Sequence, residues 1–379
     1  MRQLMKVAAV VSASSLALAA CGSGTSKESS ASSASAGATS ASASGSASES
    51  ASASGSESMS SSAPAGNSDL KVGMAYDVGG RGDQSFNDAA AAGMDKAKAE
   101  LGIETKDATA VNGENEAARE ERLNQLVDAG YTNIIAVGFA YAASVGKVAK
   151  ENPDVHFAII DDASDASKGD NVAQLTFAEQ EGSFLVGAAA ALTTKEDHIG
   201  FVGGVNVPLI VKFEAGYEAG AKAVNPDIKI DSTYLTQPPD FSGFGDPAKG
   251  KTAAEGMFQG GADVVYHAAG GSGAGVFTAA KAAKGWAIGV DSDQAKTAEA
   301  GVQDVILTSM LKKVDVAVYD YLSKAAAGSP VSGNVIYDLK ADGVGYSTTG
   351  DHLSADIIAK LDDYKAKIIS GEITVPDTK

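Results

Sequence analysis

"VGMAYDVGGRGDQSFNDAAAAGMD", residues 72–95, runs from an apolar stretch through a glycine-rich polar turn into a small-residue helix. Val72–Tyr76 is apolar throughout, as a strand covered on both faces would be. Beyond the turn, Phe86, Ala90, Gly93, Met94, Ala97 and Leu101 fall on one helical face. The turn itself concentrates Asp77, Asp83, Asp88, Phe86 and Asn87 where a strand only has to give way to a helix. Part of that density has a local reading. Ser85-Phe86-Asn87-Asp88 has the form of a capping box, with Ser85 taking an orphan N–H and Asp88 reaching back. Phe86 and Asn87 remain unexplained by it: a ring at the first helical position points toward the strand ends, and an amide can both donate and accept there.

Outward from this unit the same alternation recurs. Strands are expected at Ile134–Val137, Phe157–Ile160, Val172–Phe177, Ile199–Val202, Ile228–Tyr234, Val264–Ala268, Ala287–Val290, Val305–Thr308 and Val335–Tyr337, with helices between them and a last helix over Ser354–Ile369. Apolar strands alternating with helices imply an α/β fold of parallel sheets. The length suits two sheets, and no second linker separates them, so two lobes joined by short crossovers are expected. In open α/β sheets ligands sit beyond the carboxyl ends of strands. Those ends carry Asp77, Gly138-Phe139, Asp161-Asp162, and Asp291 with Asp293. One such aspartate is ordinary turn chemistry; repetition at three strand ends points to a polyhydroxyl ligand whose OH groups need acceptors.

Other motifs weigh less. The loop Gln237–Pro247 holds Phe241 and Phe244 with little local core to bury them, so one of the two is expected to face a ligand. Gly270-Gly271-Ser272-Gly273 follows a strand and opens a helix, but it lacks the dinucleotide spacing and the P-loop lysine. Its glycines are read as permitting a tight turn and close backbone approach. Ser309-Met310-Leu311-Lys312 fits S-x-x-K without the companion motifs of penicillin-recognising enzymes. Lys312 is better read as a single cation for a hydroxyl or ring nitrogen. The four histidines show no metal spacing. No nucleophile stands beside a base, so no enzyme, cofactor or metal is expected.

The first 20 residues have a short basic start and an apolar run too short to span a bilayer, the form of an export signal. The run ends in Leu18-Ala19-Ala20-Cys21, which resembles a bacterial lipobox, and Cys21 is the only cysteine. Lipidation of Cys21 would hold the chain to a bilayer. Residues 21–68, almost all Ser, Ala and Gly, read as a disordered tether. The formal net charge of -18 argues against nucleic acid as a partner.

Six segments together resemble the basic membrane protein family of bacterial lipoproteins, the nucleoside-binding components of ABC transporters. They are Asp77–Gly80 with Asp83–Asn87; Gly203-Gly204 with Pro208, Phe213, Gly216 and Gly220; Phe244–Pro247; His267–Gly270; Ile288–Gln294; and Thr308–Lys312. The resemblance spans about residues 70–342. It implies the type I periplasmic-binding-protein fold: two Rossmann-like lobes with a three-segment hinge and ligand between them. The lobes would be 69–178 with 309–333, and 179–308 with 334–379. A base would lie between Phe86 and Phe244, with Phe241 as the rival ring. Asp77, Asp291 and Lys312 would take ribose hydroxyls, Asp161 would serve as a sugar-binding acid, and Asn87 would read the base edge. The implied partners are a nucleoside, preferably a purine, a membrane permease and the bilayer at the extracytoplasmic face, with the chain itself a monomer. A simple sugar would use the same acids and stays as the alternative ligand.

Overall fold

The computed structural model describes residues 69–111 and 113–379. The expected export signal (1–20), Cys21 and the tether (21–68) lie outside them.

Strands β1 (Lys71–Ala75), β2 (Glu104–Ala108), β3 (Asn133–Val137), β4 (His156–Ile160) and β5 (Val172–Phe177) alternate with helices α1 (Phe86–Leu101), α2 (Glu116–Asp128) and α3 (Ala142–Glu151). They pair as a parallel sheet in the order β2-β1-β3-β4-β5. The chain then enters α4 (Glu179–Thr193) and builds a second set: β6 (His198–Val205), α5 (Pro208–Val224), β7 (Lys229–Thr236), α6 (Pro247–Gln259), β8 (Val264–Ala268), α7 (Gly273–Ala283), β9 (Trp286–Asp291), α8 (Gln294–Thr297) and β10 (Ile306–Lys312). These strands pair in the order β7-β6-β8-β9-β10, again all parallel. Helix α9 (Val314–Ala326) returns to pack on α1, and β11 (Gly333–Tyr337) extends the first sheet beside β5. Strand β12 (Val344–Tyr346) joins the second sheet antiparallel to β10, and α10 (Ala355–Ser370) packs on α4.

The expected α/β architecture with two lobes is therefore present, but two lobe boundaries move. Strand β10 stays in register with β9 as far as Leu311, opposite Asp291, so residues 309–312 belong to the second lobe and not the first. Strand β11 runs beside β5 from Gly333 to Tyr337, so 334–337 belong to the first lobe. A strand leaves its sheet only where its ladder partners end, which puts the crossings at 177–179, 312–314 and 337–344. Two strands were not among those expected. The β2 segment is the polar edge sequence ETKDA, and β12 is three residues long.

One apolar core cluster runs unbroken from the α1/α9 face of the first sheet to the α4/α5 face of the second, while the opposite faces have separate cores. The crossings are bonded to one another: Ala178 N–H donates to Tyr337 O (3.1 Å), Leu339 N–H to Glu181 Oε2 (2.9 Å) and Lys313 N–H to Gly343 O (2.9 Å). In both sheets the strand order reverses at the first strand, between β1 and β3 and between β6 and β8. That reversal opens a crevice at the carboxyl ends, the general ligand position of such sheets.

Candidate functional site

The crevices of the two lobes meet in one cavity. Its wall includes Asp77, Phe86, Gly138, Phe139 and Asp161 from the first lobe, with Phe213, Phe244, Gly270, Asp291 and Lys312 from the second. All seven residues singled out in the sequence as ligand-facing line it.

The turn after β1 forms one wall, and its own carboxylates hold it. Asp83 accepts from Ser85 N–H (2.9 Å) and Asp88 N–H (3.1 Å) through Oδ1, and from Asn87 N–H (2.9 Å) and Nδ2 (3.0 Å) through Oδ2. Asp88 in turn accepts from Gly82 N–H (2.7 Å) and Gln84 N–H (2.9 Å). The expected capping box is therefore replaced. Asp83 caps α1, and Ser85 makes no side-chain cap bond. Its hydroxyl, fully buried, donates instead to Asp291 Oδ2 in the other lobe at 2.6 Å. Asn87 lines the cavity and also braces its wall. Its Oδ1 accepts from Asp77 N–H at 3.0 Å and its Nδ2 is committed to Asp83, so the amide fixes the wall.

The carboxylates share a design in which one oxygen is tied to protein. Asp77 Oδ1 accepts from Val78 N–H at 2.7 Å. Its Oδ2 lies where Gly138, at φ +105°, leaves space: a Cβ there would approach it to 2.6 Å. Asp291 Oδ2 takes Ser85, and Asp161 Oδ2 takes Lys312 Nζ at 2.6 Å. Asp161 Oδ1 is buried with no partner, so it is an acceptor still waiting for a donor. Asp161 and Asp291 both sit at positive φ, 70° and 64°. Such strain in residues with a Cβ belongs to sites where the surroundings over-determine the backbone. Burial raises the pKa of Asp77 to about 6, partly offset by the Val78 N–H. Burial likewise raises Asp291 to about 6 against the pull of Lys312 and Ser85. Asp161 is lifted by burial even though Lys312 opposes it.

Lys312, at the end of β10, is the buried cation of the cavity. Its ammonium lies 5.1 Å from the Phe86 and Phe177 ring centroids and 5.5 Å from that of Phe213. Burial works against its charge, but Asp161, Glu179 and Asp291 outweigh that and hold its pKa above the ordinary lysine value. Glu179, the first residue of α4, approaches Nζ at 3.1 Å. Sequence reading missed it, because a glutamate opening a helix looks like dipole compensation.

Of the two loop rings, Phe244 lines the cavity, whereas Phe241 meets Phe139 edge-on across the lobes at 5.8 Å. Gly204 makes room for Phe244, since a Cβ there would reach its ring at 2.4 Å. The glycine-rich loop serves the same ring: Ser272 Oγ donates to Gly243 O (2.7 Å) and accepts from Asp246 N–H (2.8 Å). Ser309, of the S-x-x-K match, is buried on β10 and accepts from Gln294 N–H at 3.2 Å.

Two doubly wound lobes, three bonded crossings and a cavity between strand ends define a solute-binding protein of the periplasmic-binding fold. The family model of PnrA-like ABC transporter substrate-binding proteins (Bmp) matches residues 70–379, and the chain belongs to that family. It is a transport receptor and not an enzyme, and it works with a permease. The CD4+ T-cell-stimulating antigen of Listeria monocytogenes is 40% identical over 326 residues, covering 82% of this chain and 89% of that protein. The ABC transporter nucleoside-binding protein BmpA of Lactococcus lactis is 36% identical over 324 residues, covering 82% and 90%. A crystal structure of ABC transporter solute-binding proteins from Aeropyrum pernix aligns with a TM-score of 0.71 at 33% identity, covering 81% and 94%. Among the described residues, no helix is long and apolar enough to cross a membrane.

Proposed function

We propose that the chain binds nucleosides, purines preferably, between its lobes and presents them to an ABC permease. It does so as a monomer held at the extracytoplasmic face by a lipid on Cys21. The observation that carries this reading is that aromatic rings and half-spent carboxylates from both lobes line one cavity. Phe86 and Phe244 offer faces for a planar base, and stacking contributes roughly 1–3 kcal/mol per base. Asp77, Asp161 and Asp291 offer acceptors for ribose hydroxyls, and Lys312 offers a donor. Hydrogen bonds to charged groups add about 1.5–3 kcal/mol each before costs. The Lactococcus lactis relative, named as nucleoside-binding, supports the same ligand class.

Binding selects the closed arrangement because each lobe supplies only half of the contacts. Calorimetric titration with nucleosides, free bases, nucleotides and pentoses tests the reading. Nucleosides are expected to bind tightest. Binding of pentoses with equal affinity, with bases inert, would replace the nucleoside by a simple sugar.

A further inference from the structure

Glu179 is a buried carboxylate outside the cavity wall. It belongs to the first crossing, whereas Lys312 ends the strand that leads into the second. Oε1 of Glu179 lies 3.1 Å from Lys312 Nζ, and Oε2 lies 3.4 Å from Lys212 Nζ, whose side chain is about one-third exposed (32%). On its other side Lys312 holds Asp161 Oδ2 at 2.6 Å. The ammonium has three protons to donate. One is donated to Asp161, Glu179 Oε1 lies close as an ion-pair partner, and the rings of Phe86, Phe177 and Phe213 surround the charge. Lys312 is thus held in place before any ligand arrives and still has a proton to offer.

We propose that Glu179 is a positioning and specificity-determining residue of this cleft. It fixes the Lys312 ammonium against Asp161 and keeps the cleft negative, so uncharged solutes enter and their phosphate esters are refused. The proposal rests on the nucleoside reading above. Lys312 and Asp161 alone would form a neutral pair, and a phosphate could compete for the ammonium. With Glu179 buried beside them the pair becomes a net anionic triad, and an incoming phosphate meets like charge at short range, where screening is weak. Lys212 does not undo this, because it is part-exposed and screened by solvent.

Glu179→Gln keeps the size and an acceptor oxygen while removing the charge. Wild type, Glu179→Gln and Glu179→Asp are titrated with adenosine and adenosine 5′-monophosphate at fixed ionic strength. The glutamine variant is expected to lose at least tenfold in adenosine affinity while its preference for adenosine over the monophosphate falls at least tenfold further. The aspartate variant should recover most of the preference. A purely structural role would weaken both ligands alike, and an unchanged ratio overturns the proposal. If wild type binds neither compound, the nucleoside reading fails on its own. The Glu179–Lys312 unit is then decided by melting temperatures of Glu179→Gln, Lys312→Met and the double variant. A double variant more stable than Lys312→Met alone supports the unit, and additive losses sink it.

Discussion

The two ends of the cleft are held by opposite means. The turn after β1 is a local structure: Asp83 and Asp88 bond to backbone groups within six residues, and the Asn87–Asp77 bond spans only ten. Most of those partners are neutral N–H groups, so each bond contributes modestly and can be lost singly. The hinge end is assembled from Asp161, Glu179, Lys212 and Lys312, and the members of its shortest contact stand 151 positions apart in sequence. Apart from the part-exposed Lys212 its members are buried charges, and such a cluster is favourable only while every partner is present. The turn should therefore yield gradually to mutation, and the hinge should fail as a unit.

Lys312→Met gives the largest effect by this logic. It leaves Asp161 buried without its cation and Glu179 with only the part-exposed Lys212, and breaking a buried pair from one side costs about 3–5 kcal/mol. Chemical denaturation should register that loss, and ligand affinity should fall more than a hundredfold. A change below about 1 kcal/mol would mean that water reaches the triad and that the contrast with the turn is false. Phe86→Ala and Asp291→Ala come next. Each should weaken nucleoside binding at least tenfold by titration while leaving the melting transition cooperative. Unchanged affinity in both would remove the proposed site. Asp83→Ala tests the local end. Losing the cap of α1 should cost about 1–2 kcal/mol of stability, with affinity altered by no more than about threefold. A collapse of binding would show that the turn is as unified as the hinge.

The same contrast explains what could be read from the chain in advance. The α/β alternation, the cleft position and most of its acids were legible because each sits directly after an apolar strand, a signal contained within a dozen residues. The residues alone left Phe241 and Phe244 open and only the family resemblance pointed to Phe244, because the space that admits its ring is made at the distant Gly204. The exchange of capping roles between Ser85 and Asp83 was hidden for a related reason. Ser85 is drawn to Asp291, a partner 206 residues away, which no local rule can anticipate. Glu179 was hidden in the same way. The crossings at 312–314 and 337–344 depend on which sheet supplies the ladder, and apolar runs such as 306–311 look alike in either lobe.

The smallest expected effect is that of pH, and it bears on both ends at once. Asp77 stands on the local wall and Asp291 reaches it from the other lobe, and burial lifts both from about 3.8 to about 6. Between those values the folded chain binds more protons at these groups than the unfolded chain does. Their contribution to stability is therefore fully present below about pH 4 and is lost as pH rises toward 6. A ligand that donates hydroxyl protons to the ionised carboxylates relieves that cost, so its affinity must move the other way. Titration at pH 5, 6 and 7 should find affinity rising about threefold and levelling near 7, because a protonated carboxyl still accepts, but weakly. Over the same range the gap in melting temperature between loaded and empty protein should widen. Asp291→Asn, which has no proton to lose, should flatten roughly half of the profile. A flat profile in the wild type would mean that the ligand's hydroxyls pass these two acids by, leaving the rings and the hinge triad to hold it.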